Sequence, residues 1–163
     1  MVTLLRGLPP ITGPAPRTLI LGNMPSVLSL AAQQYYGNPR NAFWRILGDI
    51  LGFDPQAPYP DRVDTLIAHD LAVWDVLAAC RRAGSLDSAV ERDSMVGNDF
   101  RTFLTERPQI ERVVFNGAAA EANYRRLVRD APPITSLRLP STSPAQTMAY
   151  AEKLARWREA LGG

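Results

Sequence analysis

Three short apolar runs, each cut off by a residue that turns the backbone, limit this chain's architecture more than any other feature. Arg17-Thr-Leu-Ile-Leu21 stops at Gly22, Arg112-Val-Val-Phe115 stops at Asn116-Gly117, and the run over 134–139 stops at Pro140. Short apolar runs bounded by turn formers read as strands buried in a sheet. A further strand is expected over 70–77. Helical spacing falls between them. Phe43, Ile46, Leu47 and Ile50 follow Asn41 and end at Gly52, a helix start and stop in the right order. Other helices are expected over 61–68, from Asn98 as cap through Phe100, Phe103 and Leu104 to a break at Pro108, from Gly117 through Arg129, and at the C-terminal end. There Tyr150, Leu154, Trp157 and Leu161 stack on one face. Strands alternating with helices call for a parallel sheet covered on both sides. The expected fold class is α/β, a three-layer α/β/α sandwich with a short central parallel sheet.

The remaining segments read as connections. Residues 1–16 carry Pro9, Pro10, Pro14 and Pro16 and form an extended lead-in without a regular element. Residues 54–60 hold three prolines, and 81–97 are rich in Gly, Ser and Asp, so both read as loop. The 163 residues suit one domain, large enough to bury a core without disulfides. A single cysteine, Cys80, rules out an internal disulfide, a Cys-rich zinc site and a multi-thiolate cluster. Neither a signal sequence nor a membrane span is evident, so a cytoplasmic monomer is expected. The net charge is +2, and Lys153 is the one basic residue that is not arginine. That balance permits contact with nucleic acid without demanding it, and arginine-rich codon usage accounts for it equally well.

In open parallel sheets a ligand sits beyond the carboxyl ends of the strands. The segments Gly22-Asn-Met-Pro-Ser26, Asn116-Gly117 and Pro140-Ser-Thr-Ser-Pro144 all fall there. The glycine and proline of the first force a tight turn whose amides can face a ligand. Asn41 offers a carboxamide at a helix start and Phe43 a flat ring close by. In plain structural terms Asn41 is an N-cap, Phe43 a core residue, Asn116 the cap of the helix after it, and 140–144 an ordinary turn.

Taken in order, Leu19–Ser26, Asn38-Pro-Arg-Asn-Ala-Phe-Trp44, Val113–Gly117 and Leu139–Ala145 resemble the uracil-DNA glycosylase superfamily, and within it the hypoxanthine-DNA (deoxyinosine) glycosylase branch. The resemblance spans about Arg17 to Ala145, and the Asn-Pro-Arg-Asn-Ala-Phe-Trp block is its specific part. It implies a DNA repair enzyme that flips a deaminated base from duplex DNA, or acts on a single strand, and hydrolyses its N-glycosidic bond. No metal or cofactor is expected.

The better-known uracil enzymes read Gly-Gln-Asp-Pro-Tyr at the first motif, and their aspartate orients the attacking water. Here that position is Met24, their aromatic gate falls on Ser26, and the histidine of their second motif falls on Leu139. The deoxyinosine branch is similar in lacking both groups, and there the asparagine matching Asn41 is the residue implicated in catalysis. The chemistry is compatible: the transition state is a cationic sugar with negative charge building on the base. A carboxamide at Asn41 can place a water for attack but is a poor base, so oriented dipoles must stabilise the departing base.

Asn116 is expected to read the base, because its carboxamide matches the carbonyl beside an N–H that hypoxanthine and uracil share. Phe43 is expected to stack on the base, Gly22 and Met24 to line its pocket, and Ser26, Arg40, Pro140, Ser141, Thr142 and Ser143 to meet the DNA backbone. No wedge residue is identifiable, since Ser143 stands where relatives carry an apolar one; Arg138 and Gln146 are candidates. Of the rest, His69 reads as a surface or cap residue, Asp75 as a buried structural acid rather than one that holds water or orders the 85–87 loop, Cys80 as a packed small hydrophobe, and the arginines at 125, 126 and 129 as a solvated face. Two competing readings remain open: a uracil or mismatched-thymine glycosylase, and a non-catalytic binder of damaged DNA.

Overall fold

The computed structural model describes residues 2–162. Its centre is a four-stranded parallel sheet of β2 (Thr18–Gly22), β3 (Leu71–Asp75), β6 (Arg112–Asn116) and β7 (Thr135–Leu139), in the order β3-β2-β6-β7. The middle strands are apolar because both faces are covered. Leu19, Ile20 and Leu21 are fully buried, each worth roughly 1.5–3 kcal/mol on leaving water. Alternate residues feed two cores. Ile20, Val73 and Val114 point toward α2 (Phe43–Leu51), α3 (Tyr59–Ala68) and α6 (Tyr150–Leu161), whereas Leu19, Leu21, Val113 and Phe115 point toward α4 (Phe100–Glu106) and α5 (Ala118–Leu127). The molecule is a three-layer α/β/α sandwich, as expected.

Three local expectations need correction. The lead-in is not devoid of regular structure: β1 (Leu4–Arg6) precedes its prolines. It joins β4 (Leu77–Arg81) and β5 (Val96–Gly97) in a second, antiparallel sheet ordered β1-β4-β5. The single strand expected over 70–77 is therefore two strands that leave one sheet for the other at Val76, whose N–H donates to the Gly22 carbonyl. Beyond the prolines, Ile11 pairs with Val73 through two backbone bonds of 2.8 and 2.9 Å, which closes the β3 edge. The segment 81–97 is loop with two short 3-10 turns besides β5.

After the first motif comes a short helix, α1 (Val27–Ala32), capped by the Ser26 hydroxyl, which accepts from Ser29 N–H. Second, α3 begins at Tyr59 because Pro60 fits a first helical turn, where its missing N–H has no partner to lose. Third, Asp99 rather than Asn98 caps α4, accepting from Thr102 N–H; the Asn98 amide reaches the Asp75 backbone carbonyl instead.

Candidate active site

The carboxyl ends of β2 and β6, the 33–42 segment and the 140–146 loop enclose a cavity of about 630 Å³. That is within the usual range for small-molecule sites, roughly 300–1,000 Å³. Asn41 and Asn116 both line it, as do Gly22, Met24, Ser26, Arg40, Ser141, Thr142 and Ser143, so the residues singled out in the sequence converge.

Asn116 ends β6 and is 9% exposed. It does not cap α5; Gly117 holds that position with φ +98°, and a Cβ there would lie 2.9 Å from the Ser141 Cβ. Freed from capping, the carboxamide is held in plane by three bonds. Its Oδ1 accepts from Thr142 N–H at 2.9 Å, and its Nδ2 donates to Thr142 Oγ1 at 2.9 Å and to Tyr36 Oη at 3.1 Å. The Thr142 carbonyl in turn accepts from Ala42 N–H at 3.0 Å, immediately after Asn41. Asn41 Oδ1 accepts from Phe43 N–H at 2.9 Å, which pins that carboxamide over the first turn of α2 and leaves its NH2 group and one Oδ1 lone pair for a ligand. One threonine thus ties the two asparagines into a single frame.

Three expected contacts are not met. Phe43 is fully buried and cannot reach a base, because Tyr36 lies stacked on it with ring centroids 4.0 Å apart and planes 20° from parallel. In its place, beside the more deeply buried Tyr35, Tyr36 lines the cavity wall. Its burial, and then the nearby charge of Asp75, raise its pKa, so the hydroxyl keeps its proton. Thr142 is 1% exposed, with its hydroxyl accepting from Asn116 Nδ2, and that burial removes it from any phosphate contact. Pro140 is not part of the wall; its carbonyl accepts from Trp157 Nε1. Ser141 and Ser143 do sit in the wall, with hydroxyls that accept local backbone N–H groups and retain their protons to donate outward. Arg40 is exposed at the rim.

The sequence reasoning named Asp75 but not the asparagines that form a polar cluster with Asp87 behind the first motif. Asn23 Nδ2 donates to Asp87 Oδ1 at 3.0 Å, and Asn123 Nδ2 donates to Asn23 Oδ1 at 2.8 Å, so the 85–88 turn is drawn against the cavity. Asp75 ends β3 opposite Gly22 and is 4% exposed. Desolvation, followed by the charge of Asp87 and opposed by Arg82, pushes its carboxyl up to about 7. The clue was present in the sequence: an acid closing an apolar run. Of the other residues noted, Cys80 is buried, and exposed His69 ends α3, away from the cavity.

Residues 9–161 match the family model of the uracil DNA glycosylase superfamily. The chain belongs to that superfamily. A hypoxanthine DNA glycosylase of Methanosarcina barkeri is 33% identical over 157 residues, 96% of this chain and 97% of the relative. One of Methanosarcina acetivorans is 35% identical over 153 residues, 93% and 94% of the two. A solution structure from M. acetivorans, described as a uracil DNA glycosylase, superposes with a TM-score of 0.80 at 31% identity, covering 98% of both chains. Within this superfamily, the chain brings Asn41 and Asn116 to the cavity while Met24 and Leu139 occupy the places noted above.

Proposed function

We propose that this protein is a monomeric DNA glycosylase that takes a flipped hypoxanthine into the cavity and hydrolyses its bond to deoxyribose, with uracil as a second substrate. One observation carries the reading: Asn41 and Asn116 line the same cavity and are joined through Thr142. Asn41, the less buried of the two, places the water at the sugar. Asn116, at the buried end, has both Nδ2 hydrogens on Thr142 and Tyr36, so it meets the base edge through its remaining Oδ1 lone pair, which accepts from the ring N–H. Flipping costs only a few kcal/mol, and stacking on Tyr36 returns roughly 1–3 kcal/mol.

Contact with the duplex falls to the rim. Arg40, Ser141 and Ser143 suit the phosphates. Leu86, at 57% exposure on the cavity edge, is the apolar side chain placed to enter the gap the base leaves. Val27 and Leu28, each 50% exposed, lie on α1, whose first N–H is bonded to Ser85 Oγ beside it.

The test uses otherwise identical labelled duplexes bearing inosine, uracil or thymine, each followed by hot alkali to break abasic strands. Cleavage should be strongest with inosine. Preferential cleavage at thymine or uracil would move the protein to the other glycosylase reading. Binding with no abasic site on any duplex would make it a sensor of damaged DNA.

A further inference from the structure

As the bond to C1′ breaks, the departing base gains an electron pair, and neither asparagine can give it a proton. The superfamily's usual partner for that charge is missing, since Leu139 stands there. A carboxyl group in the wall can supply it. Asp75 lines the cavity, and its Oδ2 is buried without a hydrogen-bond partner. A Cβ at Gly22 would lie 2.5 Å from Asp75 Oδ1 and 3.0 Å from Tyr36 Oη, so the two oxygens flank one point. Tyr36 Oη is itself bonded to Asn116. The carboxyl group therefore sits at the end of the cavity where the base edge is read.

Building on the glycosylase reading above, we propose that Asp75 enters the reaction as a neutral carboxylic acid and donates its proton to a ring nitrogen of the departing purine. The electron pair of the C1′–N9 bond goes to the purine, and the Asp75 proton neutralises it. Water adds its oxygen to C1′ and releases a proton to solvent, from which Asp75 is reprotonated. One water is consumed, and an abasic sugar and neutral hypoxanthine leave.

The surroundings of Asp75 keep such an acid protonated. Arg82 is the cation nearest in effect, but its Nε and Nη2 donate to the Gly84 and Pro25 carbonyls at 2.7 Å each, so it makes no ion pair with Asp75. Asp87 adds like charge from the 3-10 turn, and Tyr36 and Tyr35 face the group as neutral phenols. With its carboxyl near 7, Asp75 is partly protonated at neutral pH, the range in which a general acid works best. His69 does not line the cavity, so histidine does not complicate the titration.

Single-turnover release of hypoxanthine from an inosine duplex, measured from pH 5 to 9 with saturating enzyme, tests this. The wild-type rate should be highest below pH 7 and fall about tenfold per unit well above it. Asp75→Asn should be about 10²-fold slower at pH 6 with a flat profile, while binding the duplex normally. A wild-type rate that is flat or rises through pH 7 overturns the proposal, as does Asp75→Asn with the wild-type rate and profile. The wild-type profile requires no variant, so the test survives a misfolded Asp75→Asn. If wild type releases nothing from inosine DNA, the glycosylase reading fails; release with an unchanged profile sinks only the role of Asp75.

Discussion

Thr142 grips the Asn116 carboxamide at both ends, its N–H on Oδ1 and its hydroxyl under Nδ2, each at 2.9 Å. A carboxamide fixed this way cannot rotate to offer donor for acceptor, and its remaining Oδ1 lone pair distinguishes a ring N–H from an unprotonated ring nitrogen on a base. Thr142→Val removes the hydroxyl and leaves a buried donor unpaired, a cost of roughly 1–3 kcal/mol. The melting temperature should drop, and the ratio of inosine to adenine cleavage should narrow. Thr142→Ser keeps the hydroxyl and should restore both, as thermal melts and competition cleavage would reveal.

Asn41 touches the rest of the protein through its Oδ1 bond to Phe43 N–H and the backbone bond from its own N–H to Asn38. Asn41→Ala should therefore lose at least about 10²-fold in single-turnover base release while holding duplex DNA as tightly as wild type in a gel-shift titration. Cleavage at the wild-type rate would remove Asn41 from the chemistry.

Tyr36 offers a third test, because it alone separates stacking from hydrogen bonding at the base. Tyr36→Phe keeps the ring on Phe43 but deletes the acceptor for Asn116 Nδ2, so cleavage should fall only a few-fold. Tyr36→Ala removes the platform; a loss of roughly 1–3 kcal/mol corresponds to about 5- to 150-fold in kcat/KM. Equal rates for the two variants would place the base elsewhere.

The history of Phe43 shows what the sequence does and does not carry. The spacing of Phe43, Ile46, Leu47 and Ile50 located α2 correctly, and the same spacing puts Phe43 on the buried face of that helix. Its ring belongs to the core for the reason the helix was visible. Tyr35 and Tyr36 follow no periodicity. The chain there runs through a left-handed residue, Tyr36 at φ +54°, which sends Tyr35 inward to bond the Leu8 and Pro9 carbonyls and Tyr36 to the cavity. The antiparallel sheet escaped notice for a related reason: residues 71–80 form one apolar run, and only the pairing of Leu5 with Cys80 shows that half of it belongs to another sheet. The places of Asn41 and Asn116 at the cavity were legible because each sits at a junction between regular elements beside the carboxyl ends of the strands.

Leu86 carries a prediction that duplex and single strand must be treated differently. A side chain that fills the gap in the stack helps only when there is a stack. Leu86→Ala should cut cleavage of an inosine duplex by about tenfold or more and leave an inosine single strand almost unchanged. Parallel losses on both substrates would show that Leu86 supports the pocket rather than the duplex.

The last prediction concerns stability and follows from the same buried acid. A carboxyl raised from 3.8 to about 7 means that the folded chain binds more protons than the unfolded chain between those values. Stability must then decline as pH climbs through that window and level off above it, the reverse of an ion-paired aspartate. The shift corresponds to an upper bound on the order of 4 kcal/mol. Asp75→Asn abolishes the titration. Its melting temperature relative to wild type should therefore increase between pH 4 and pH 8, by differential scanning calorimetry in buffers of matched ionic strength. The variant should be more stable than wild type at pH 8, where it is also the slower enzyme, because the carboxylate that the fold tolerates at a cost is the form Asp75 takes once it has given up its proton. A constant difference across that range would mean that Asp75 titrates alike in the folded and unfolded chains.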